Sequence, residues 1–308
     1  MRAALDAALT EAAKIDKNVF VVVGDVSPIA LANFTKEFSD RFINVGVAEA
    51  NLVGMGAGLA MSGKVPFLFT IATFMVYRCY EQIRDDLCFQ NLNVKIIGGG
   101  GGFIYSTLGA THHATEDYAV LRALPHMTVV APADPFEAKK AVTALVQHHG
   151  PAYIRLGRSG DTNVYTQDYE FVLGKSVIMR EGSDITIIGA GSILKNILCA
   201  TDELKKKGVE VRVVNMHTIK PLDTNAIMRA VKDTGAILAV EEHQHVGGLG
   251  SAIAEVLVEN GVMIPFLKLG VKDTFVHEYG SRDHLLEQVG LGVSHIVQAA
   301  EYLCARKR

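Results

Sequence analysis

Five short runs of β-branched and apolar residues, Val19–Val23, Val65–Thr70, Val94–Ile97, Met127–Ala131 and Ala152–Leu156, alternate with helical patterns through the first half of the chain. Their apolar residues are continuous rather than alternating, the pattern of strands covered on both faces of a parallel sheet. The stretches at 48–61, 73–88 and 135–148 have the spacing of crossover helices, the last opened by Asp134-Pro135 as N-cap and first-turn proline. A second series places strands at Asp184–Ile188, Val209–Val214, Ala236–Glu241 and Met263–Leu269, with helices near 192–207, 223–233, 247–260 and 292–305. Between the series, Gly157 to Tyr169 is polar and without period, as an interdomain linker would be. The expected fold is α/β, with two doubly wound domains and mostly parallel sheets: a first domain at 1–160, a linker at 161–178 and a second domain at 179–308.

The formal net charge of -3, with no long basic run, gives no footprint for nucleic acid or an anionic membrane. Cys79, Cys88, Cys199 and Cys304 are scattered without a CxxC or a zinc-ligand spacing, so no metal site is expected, and reduced thiols fit a cytoplasmic location. The first fourteen residues read as an amphipathic helix rather than a secretory leader. Partners are expected to be small molecules or protein.

Glu49 is the only charged residue between Arg41 and Lys64. It opens a helix at the surface, where the macrodipole favours it, or it is buried among its alanines, valines and glycines. In the second case it must find a donor or keep its proton, which makes it a candidate acid or base. Ala50, Gly54, Ala57, Gly58 and Met61 recur at helical spacing as a stripe suited to close packing. The surrounding run is long enough to span a bilayer, but five glycines, two asparagines and the glutamate argue against that.

Phe74, Tyr77 and Tyr80 are spaced to share one face of a helix that follows the strand ending at Thr70. Strand ends and helix starts are where open α/β sheets bind ligands, and aromatic faces suit a planar heterocycle. The next strand runs into five consecutive glycines, Gly98 to Gly102, a mobile loop or a place where a ligand approaches backbone. His112 and His113 follow, each able to titrate near neutrality or donate to a developing oxyanion. Gly189-Ala-Gly191 lacks the third glycine of a dinucleotide fingerprint, and His243-Gln-His245 lacks a third metal ligand nearby.

The ordered set Gly24-Asp25-Val26, Gly46-Val-Ala-Glu49-Ala-Asn51, Phe74/Tyr77/Tyr80, Gly109-Ala-Thr-His112-His113, Val129-Val-Ala-Pro-Ala-Asp134 and Tyr153-Ile-Arg-Leu-Gly-Arg158 resembles the C-terminal half of a transketolase. The second half matches too, through Val211-Arg-Val-Val-Asn215-Met-His-Thr-Ile-Lys-Pro-Leu-Asp223 and Glu241-Glu-His-Gln-His-Val-Gly-Gly-Leu-Gly250. The resemblance implies a thiamine diphosphate enzyme that transfers a two-carbon ketol unit. It assigns Glu49 to the pyrimidine nitrogen of the cofactor, where it favours the imino tautomer. Phe74, Tyr77 and Tyr80 would enclose the ring, and Asp25 would lie near the thiazolium. His112, with His113 beside it, would hydrogen-bond the donor sugar, and Arg158 would contact a sugar phosphate.

Two positions depart from the family. Leu108 stands where members commonly place an acid that recognises a donor hydroxyl, and Gly100 where many carry a histidine near the phosphate. An unusual sugar is therefore expected. The family's Gly-Asp-Gly motif, which holds Mg²⁺ and the diphosphate, does not occur in these residues. The resemblance is thus to the second subunit of a split transketolase. It implies a separate N-terminal partner subunit that binds Mg²⁺, assembly as α2β2, and a chain inactive alone. Other readings are the β subunit of a 2-oxo acid dehydrogenase E1 component and a non-catalytic scaffold subunit.

Overall fold

Strand β1 (Val19–Val23) lies parallel between β2 (Phe42–Asn44) and β3 (Val65–Ile71) in the first sheet. β4 (Lys95–Gly99) pairs with β3, β6 (Ala152–Leu156) with β4, and β5 (Thr128–Val130) with β6, all parallel. The order β5-β6-β4-β3-β1-β2 is the one the continuous apolar runs call for. The structure, a computed structural model, describes residues 1–26, 31–157 and 163–307. The chain divides into two units, Met1–Gly101 with Val120–Leu173, and Gly102–Ala119 with Gly174–Arg308.

On one face of the first sheet lie α1 (Arg2–Ile15) and α7 (Pro135–Gln147). Leu5 and Leu9 from α1 and Ala138, Ala141, Val142 and Leu145 from α7 bury against Val21, Phe67, Phe69 and Ile154. Helix α3 (Glu49–Met61) buries Glu49, Leu52, Val53, Gly56 and Ala57. Gly56 is required by packing: a Cβ there would lie 2.7 Å from Leu68 Cδ1, closer than carbon atoms tolerate. The stripe expected from spacing is displaced around the helix, since Ala50, Gly54, Gly58 and Met61 are exposed and only Ala57 of that set is buried. Helices α2 (Ala32–Glu37) and α6 (Asp117–Arg122) complete this half of the chain, together with the short α4 (Ala72–Val76) and α5 (Tyr80–Gln82).

The second unit carries a five-stranded sheet in the order β12-β11-β8-β9-β7. Here β8 (Ile185–Gly189), β9 (Val211–Asn215), β11 (Ile237–Gln244) and β12 (Phe266–Val271) are parallel, and the edge strand β7 (Val177–Arg180) is antiparallel to β9. Helices α8 (Leu194–Lys206), α9 (Thr224–Thr234), α10 (Leu249–Glu259), α11 (Arg282–Gln288) and α12 (Val293–Arg306) connect them, and β10 (Thr218–Lys220) is a short strand. Gly189 is explained by packing, since a Cβ there would overlap Ile197 Cδ1, and α8 starts beyond a 3₁₀ turn at Gly191–Ile193. No helix among the described residues is long and apolar enough to cross a membrane.

Asp134 does more than cap α7. Its Oδ1 accepts from Glu137 N at 2.8 Å, while Oδ2 accepts from Val164 N at 2.7 Å and Tyr165 N at 3.1 Å. Tyr165 and Tyr169 both donate their hydroxyls to Glu137, so residues 164–169 of the expected linker strap back onto the first turn of α7. Phe171 and Leu173 extend that attachment to the core. Asp134→Ala removes a helix cap and two charge-assisted bonds from a fully buried site, with an expected loss of about 3 kcal/mol. Urea denaturation measures it, and an unchanged midpoint would rule out the strap as a stabilising contact.

Candidate active site

The parallel register brings the carboxyl ends of four strands into one row, Val23 opposite Asn44 and Phe69, and Ile71 opposite Gly99. In such a sheet the loops beyond those ends form the ligand-binding edge. After β1 the chain enters Gly24–Asp25, where Asp25 takes a left-handed φ of 54°. That conformation is sparsely populated for a residue with a Cβ and is held here by Asn44. Asn44 Oδ1 accepts from Asp25 N at 3.1 Å and Gly46 N at 2.9 Å, and its Nδ2 donates to Asp25 Oδ1 at 3.3 Å, coupling the β1 and β2 loops.

Glu49 begins α3 with its side chain 2% exposed. Its compensating donor is Arg78, whose Nη1 lies 2.6 Å from Oε2, while Oε1 accepts no hydrogen bond among the described residues. The Arg78 side chain is 52% exposed, and its guanidinium carbon lies 4.8 Å from the centroid of the Phe74 ring. Comparison with the other buried glutamates shows how thin this support is. Glu241 accepts Leu249 N at 2.6 Å on Oε2 and Gly250 N at 2.8 Å on Oε1, which fixes the start of α10. Glu137 is held on both oxygens by Ala133 N and two tyrosines, and Glu242 on both by Arg282, with Phe103 N at 2.7 Å added. Glu49 alone of the four keeps an oxygen open.

The aromatic residues do not share one helix. α4 (Ala72–Val76) stops before Tyr77, α5 (Tyr80–Gln82) restarts at Tyr80, and a π-helical turn covers Ile83–Cys88. Cys79 leaves the helical region at φ -108°, ψ 20°, and this break sets Arg78 where it reaches Glu49. Phe74 is half-buried, Tyr77 is exposed, and half-buried Tyr80 donates its hydroxyl to Val120 O at 3.1 Å. Beside Phe74, Thr73 Oγ1 is buried without a hydrogen-bond partner. An open carboxylate oxygen, an orphaned hydroxyl and aromatic faces are a donor set that fits a planar, nitrogen-containing heterocycle. Burial, then the charge of Glu49, pushes the Cys79 thiol up to about 11, so it is no nucleophile.

The glycine run serves packing. A Cβ at Gly98 would overlap the Tyr153 hydroxyl and one at Gly101 would overlap Arg155 Nε, so these positions admit side chains of the neighbouring strand. Gly100 N and Gly101 N both donate to Leu156 O at 3.1 Å.

His112 and His113 belong to the second unit, in a loop closed by a reciprocal bridge between Gly102 and Ala114. His113 is buried, edge-on to Phe103 at 5.1 Å between centroids. His112 is only half-buried: its Nδ1 lies 2.9 Å from Thr111 Oγ1, and its ring meets Tyr105 edge-on at 6.1 Å. Burial holds both rings below the usual histidine range, opposed at His113 by the nearby backbone carbonyl of Ser106. Next to them Leu108 is exposed, and Gly109, at φ 78°, admits Tyr279, whose hydroxyl would lie 3.0 Å from a Cβ there. Glu242 and Arg282 anchor the start of the loop through Phe103 N, and Gln244 N donates to Thr115 O at 2.7 Å.

His243 ends the same anchor. Its Nε2 accepts Ala119 N at 3.2 Å and its Nδ1 lies 2.8 Å from Gln244 O, which fixes the Nδ1–H tautomer, with the ring stacked on Tyr118 at 6°. Asp223 caps α9 through Ala226 N at 3.1 Å and also accepts from Ser176. Arg158 lies outside the described residues. Sequence reasoning missed Arg78, although it is the only charged residue between Lys64 and Glu81, as Glu49 is between Arg41 and Lys64. It also missed Arg282, which carries no local signal.

A parallel sheet with a buried glutamate on its carboxyl edge, followed by a second α/β unit, defines the pyrimidine-binding and C-terminal domain pair of the transketolase type. The family model for the transketolase pyrimidine binding domain matches residues 1–160, and that for the transketolase C-terminal domain residues 174–296. The chain belongs to the transketolase family, as a subunit of the split kind. It is 41% identical over 294 residues to an apulose-4-phosphate transketolase subunit of Phocaeicola vulgatus, covering 95% of this chain and 93% of that protein. It is 38% identical over 303 residues to a 6-deoxy-6-sulfo-D-fructose transketolase subunit of Clostridium sp. strain MSTE9, covering 98% and 94%. A solved split-gene transketolase, described as an inactive β4 tetramer, superimposes with a TM-score of 0.91 at 39% identity over 100% of this chain and 98% of that one.

The two histidines are expected to separate on substitution. His113→Ala empties a buried site against Phe103 and should cost about 2 kcal/mol, whereas His112→Ala at the half-buried position should cost well under about 1 kcal/mol. Thermal denaturation of the two variants checks this, and equal losses would contradict the assignment of His113 to the loop core.

Proposed function

We propose that this subunit transfers a two-carbon ketol unit from an anionic ketose of unusual hydroxyl pattern to an aldose, using thiamine diphosphate held jointly with a separate N-terminal subunit in a cytoplasmic α2β2 assembly. The observation that carries the reading is the buried Glu49 carboxylate with one oxygen tied and one open. The partner is supported by the relatives' descriptions as subunits, of which this chain spans 93% and 94%. Mg²⁺ and the diphosphate are assigned to that partner because these residues contain no Gly-Asp-Gly motif.

When bound, the cofactor supplies the nucleophilic carbon and the electron sink for carbon–carbon cleavage. This chain's residues prepare and confine it. Glu49 would hold the pyrimidine nitrogen through Oε1, where its carboxyl can hold or give up a proton. Phe74, Tyr77 and Tyr80 would exclude water from the ring faces, and Asp25 would hold the thiazolium part of the cofactor. His112, whose neutral form burial favours, would donate to the donor's carbonyl or hydroxyl oxygen, with His113 buried next to it in the chain. Arg158 takes the anionic end of the sugar.

Leu108 places an exposed apolar side chain, which can accept no hydrogen bond, in the His112 loop. That supports a ketose lacking or displacing the usual hydroxyl, in line with relatives named for apulose 4-phosphate and a sulfonated fructose.

The test is reconstitution with the N-terminal subunit, Mg²⁺ and thiamine diphosphate against a panel of phosphorylated and sulfonated ketoses. Glu49→Gln should lower turnover by about a hundredfold or more, the ordinary contribution of a positioned acid-base group. The β chain by itself should be inert. Unchanged turnover of the Gln variant would defeat the assignment of Glu49.

A further inference from the structure

We propose that Arg78 is the positioning residue for Glu49: it fixes the carboxylate through one oxygen, so that the other is presented to the pyrimidine nitrogen. The inference rests on the cofactor reading of Glu49 given above and adds the residue that makes that reading geometrically specific.

Arginine frequently grips a carboxylate with two parallel N–H bonds, the stronger arrangement. Arg78 instead makes one bond, Nη1 to Oε2 at 2.6 Å, and leaves Oε1 without a partner among the described residues. Glu242 shows the contrast within the same chain, since Arg282 contacts both of its oxygens. The single-point grip is held by a second contact, the guanidinium lying 4.8 Å from the Phe74 centroid. Phe74 thus steadies the arginine that aims the glutamate, and Phe74, Arg78 and Glu49 form one unit built from the ends of β2 and β3.

The break between α4 and α5 gives this unit its form. The Tyr77–Cys79 turn leaves the guanidinium over Phe74, four residues back, while Nη1 reaches Glu49. Arg78 is half-exposed, so its charge is carried at little desolvation cost, while Glu49 is nearly fully buried and can be fixed only by a donor that comes to it. A rotamer locked in this way spares the ordering cost when a ligand arrives.

The experiment compares Arg78→Gln, Arg78→Lys and Glu49→Gln in the reconstituted complex. Thiamine diphosphate binding is followed by calorimetry, and the imino tautomer by its near-ultraviolet circular dichroism band. For Arg78→Gln the concentration for half-saturation should rise about tenfold and the imino band should weaken, with Arg78→Lys restoring most of both because the ammonium still reaches Oε2. Wild-type affinity and band in Arg78→Gln would overturn the inference, and so would tighter binding, which would mean that the guanidinium occupies the ring's own place. Wild-type behaviour of Glu49→Gln would overturn the underlying reading as well. A defective Glu49→Gln beside a normal Arg78→Gln would overturn the positioning role alone. If Arg78→Gln assembles poorly, Arg78→Lys against Arg78→Met at matched assembly gives the same comparison.

Discussion

A carboxylate buried at the start of a helix, among residues that offer it no side-chain donor of their own, must be compensated from elsewhere in the fold. For Glu49 the helix supplies part of this, because the first-turn N–H groups of α3 present positive potential to an acidic residue there. The rest comes from Arg78, 29 residues further on, across two strand ends. The sheet register makes that possible: Asn44 at the end of β2 and Phe69 in β3 both stand opposite Val23, so the loops bearing Glu49 and Arg78 leave the same edge of the sheet at one level, on either side of β1. Displacing either strand by two residues would part them by roughly 7 Å and leave the glutamate buried without a counter-charge.

The buried acids divide by how completely they are satisfied. Asp134, Glu137, Glu241 and Glu242 accept from backbone N–H groups, tyrosines or a doubly bonded arginine, and each ties an element boundary to another segment. Such groups resist change, since losing one donor strands a charge in a place water does not reach. Glu49 is satisfied on one oxygen only. Beside four buried carboxylates closed on both oxygens, incomplete closure at the carboxyl edge of a parallel sheet is the feature that marks Glu49 as the candidate for reactivity.

Architecture was legible where a single segment carries its own signal. The continuous apolar runs form the strands Val19–Val23 and Ala152–Leu156 with their bounds unchanged, and Asp134-Pro135 opens α7 as its capping chemistry requires. Short or edge elements escape: β2 has three residues, too few for a period, and β7 is a half-exposed antiparallel edge. Aromatic spacing across 73–88 fits a single helix, yet tertiary demand breaks it at Tyr77–Cys79, where Arg78 gains a buried partner. Glu49 stands out in sequence through its apolar neighbours, but its counter-ion does not, because nothing local links positions 29 apart. The association of 102–119 with the second unit is invisible for the same reason, resting on Phe103 N and Glu242, 139 residues apart.

The same contrast orders the histidine loop. Its two ends are determined by buried contacts, Phe103 N on Glu242 at one and the His243 ring between Ala119 N and Gln244 O at the other. What lies between is held by less: a 3₁₀ turn at Ser106–Leu108, a second at Ala110–His112, and the contact of Gly109 with Tyr279. Leu108 and His112 thus sit on a short span whose anchors are fixed by charge and stacking while its tip is free to vary in side chain. A loop built this way can change the side chains at its tip without unfolding, because substitutions there disturb neither the Glu242 anchor nor the His243 stack.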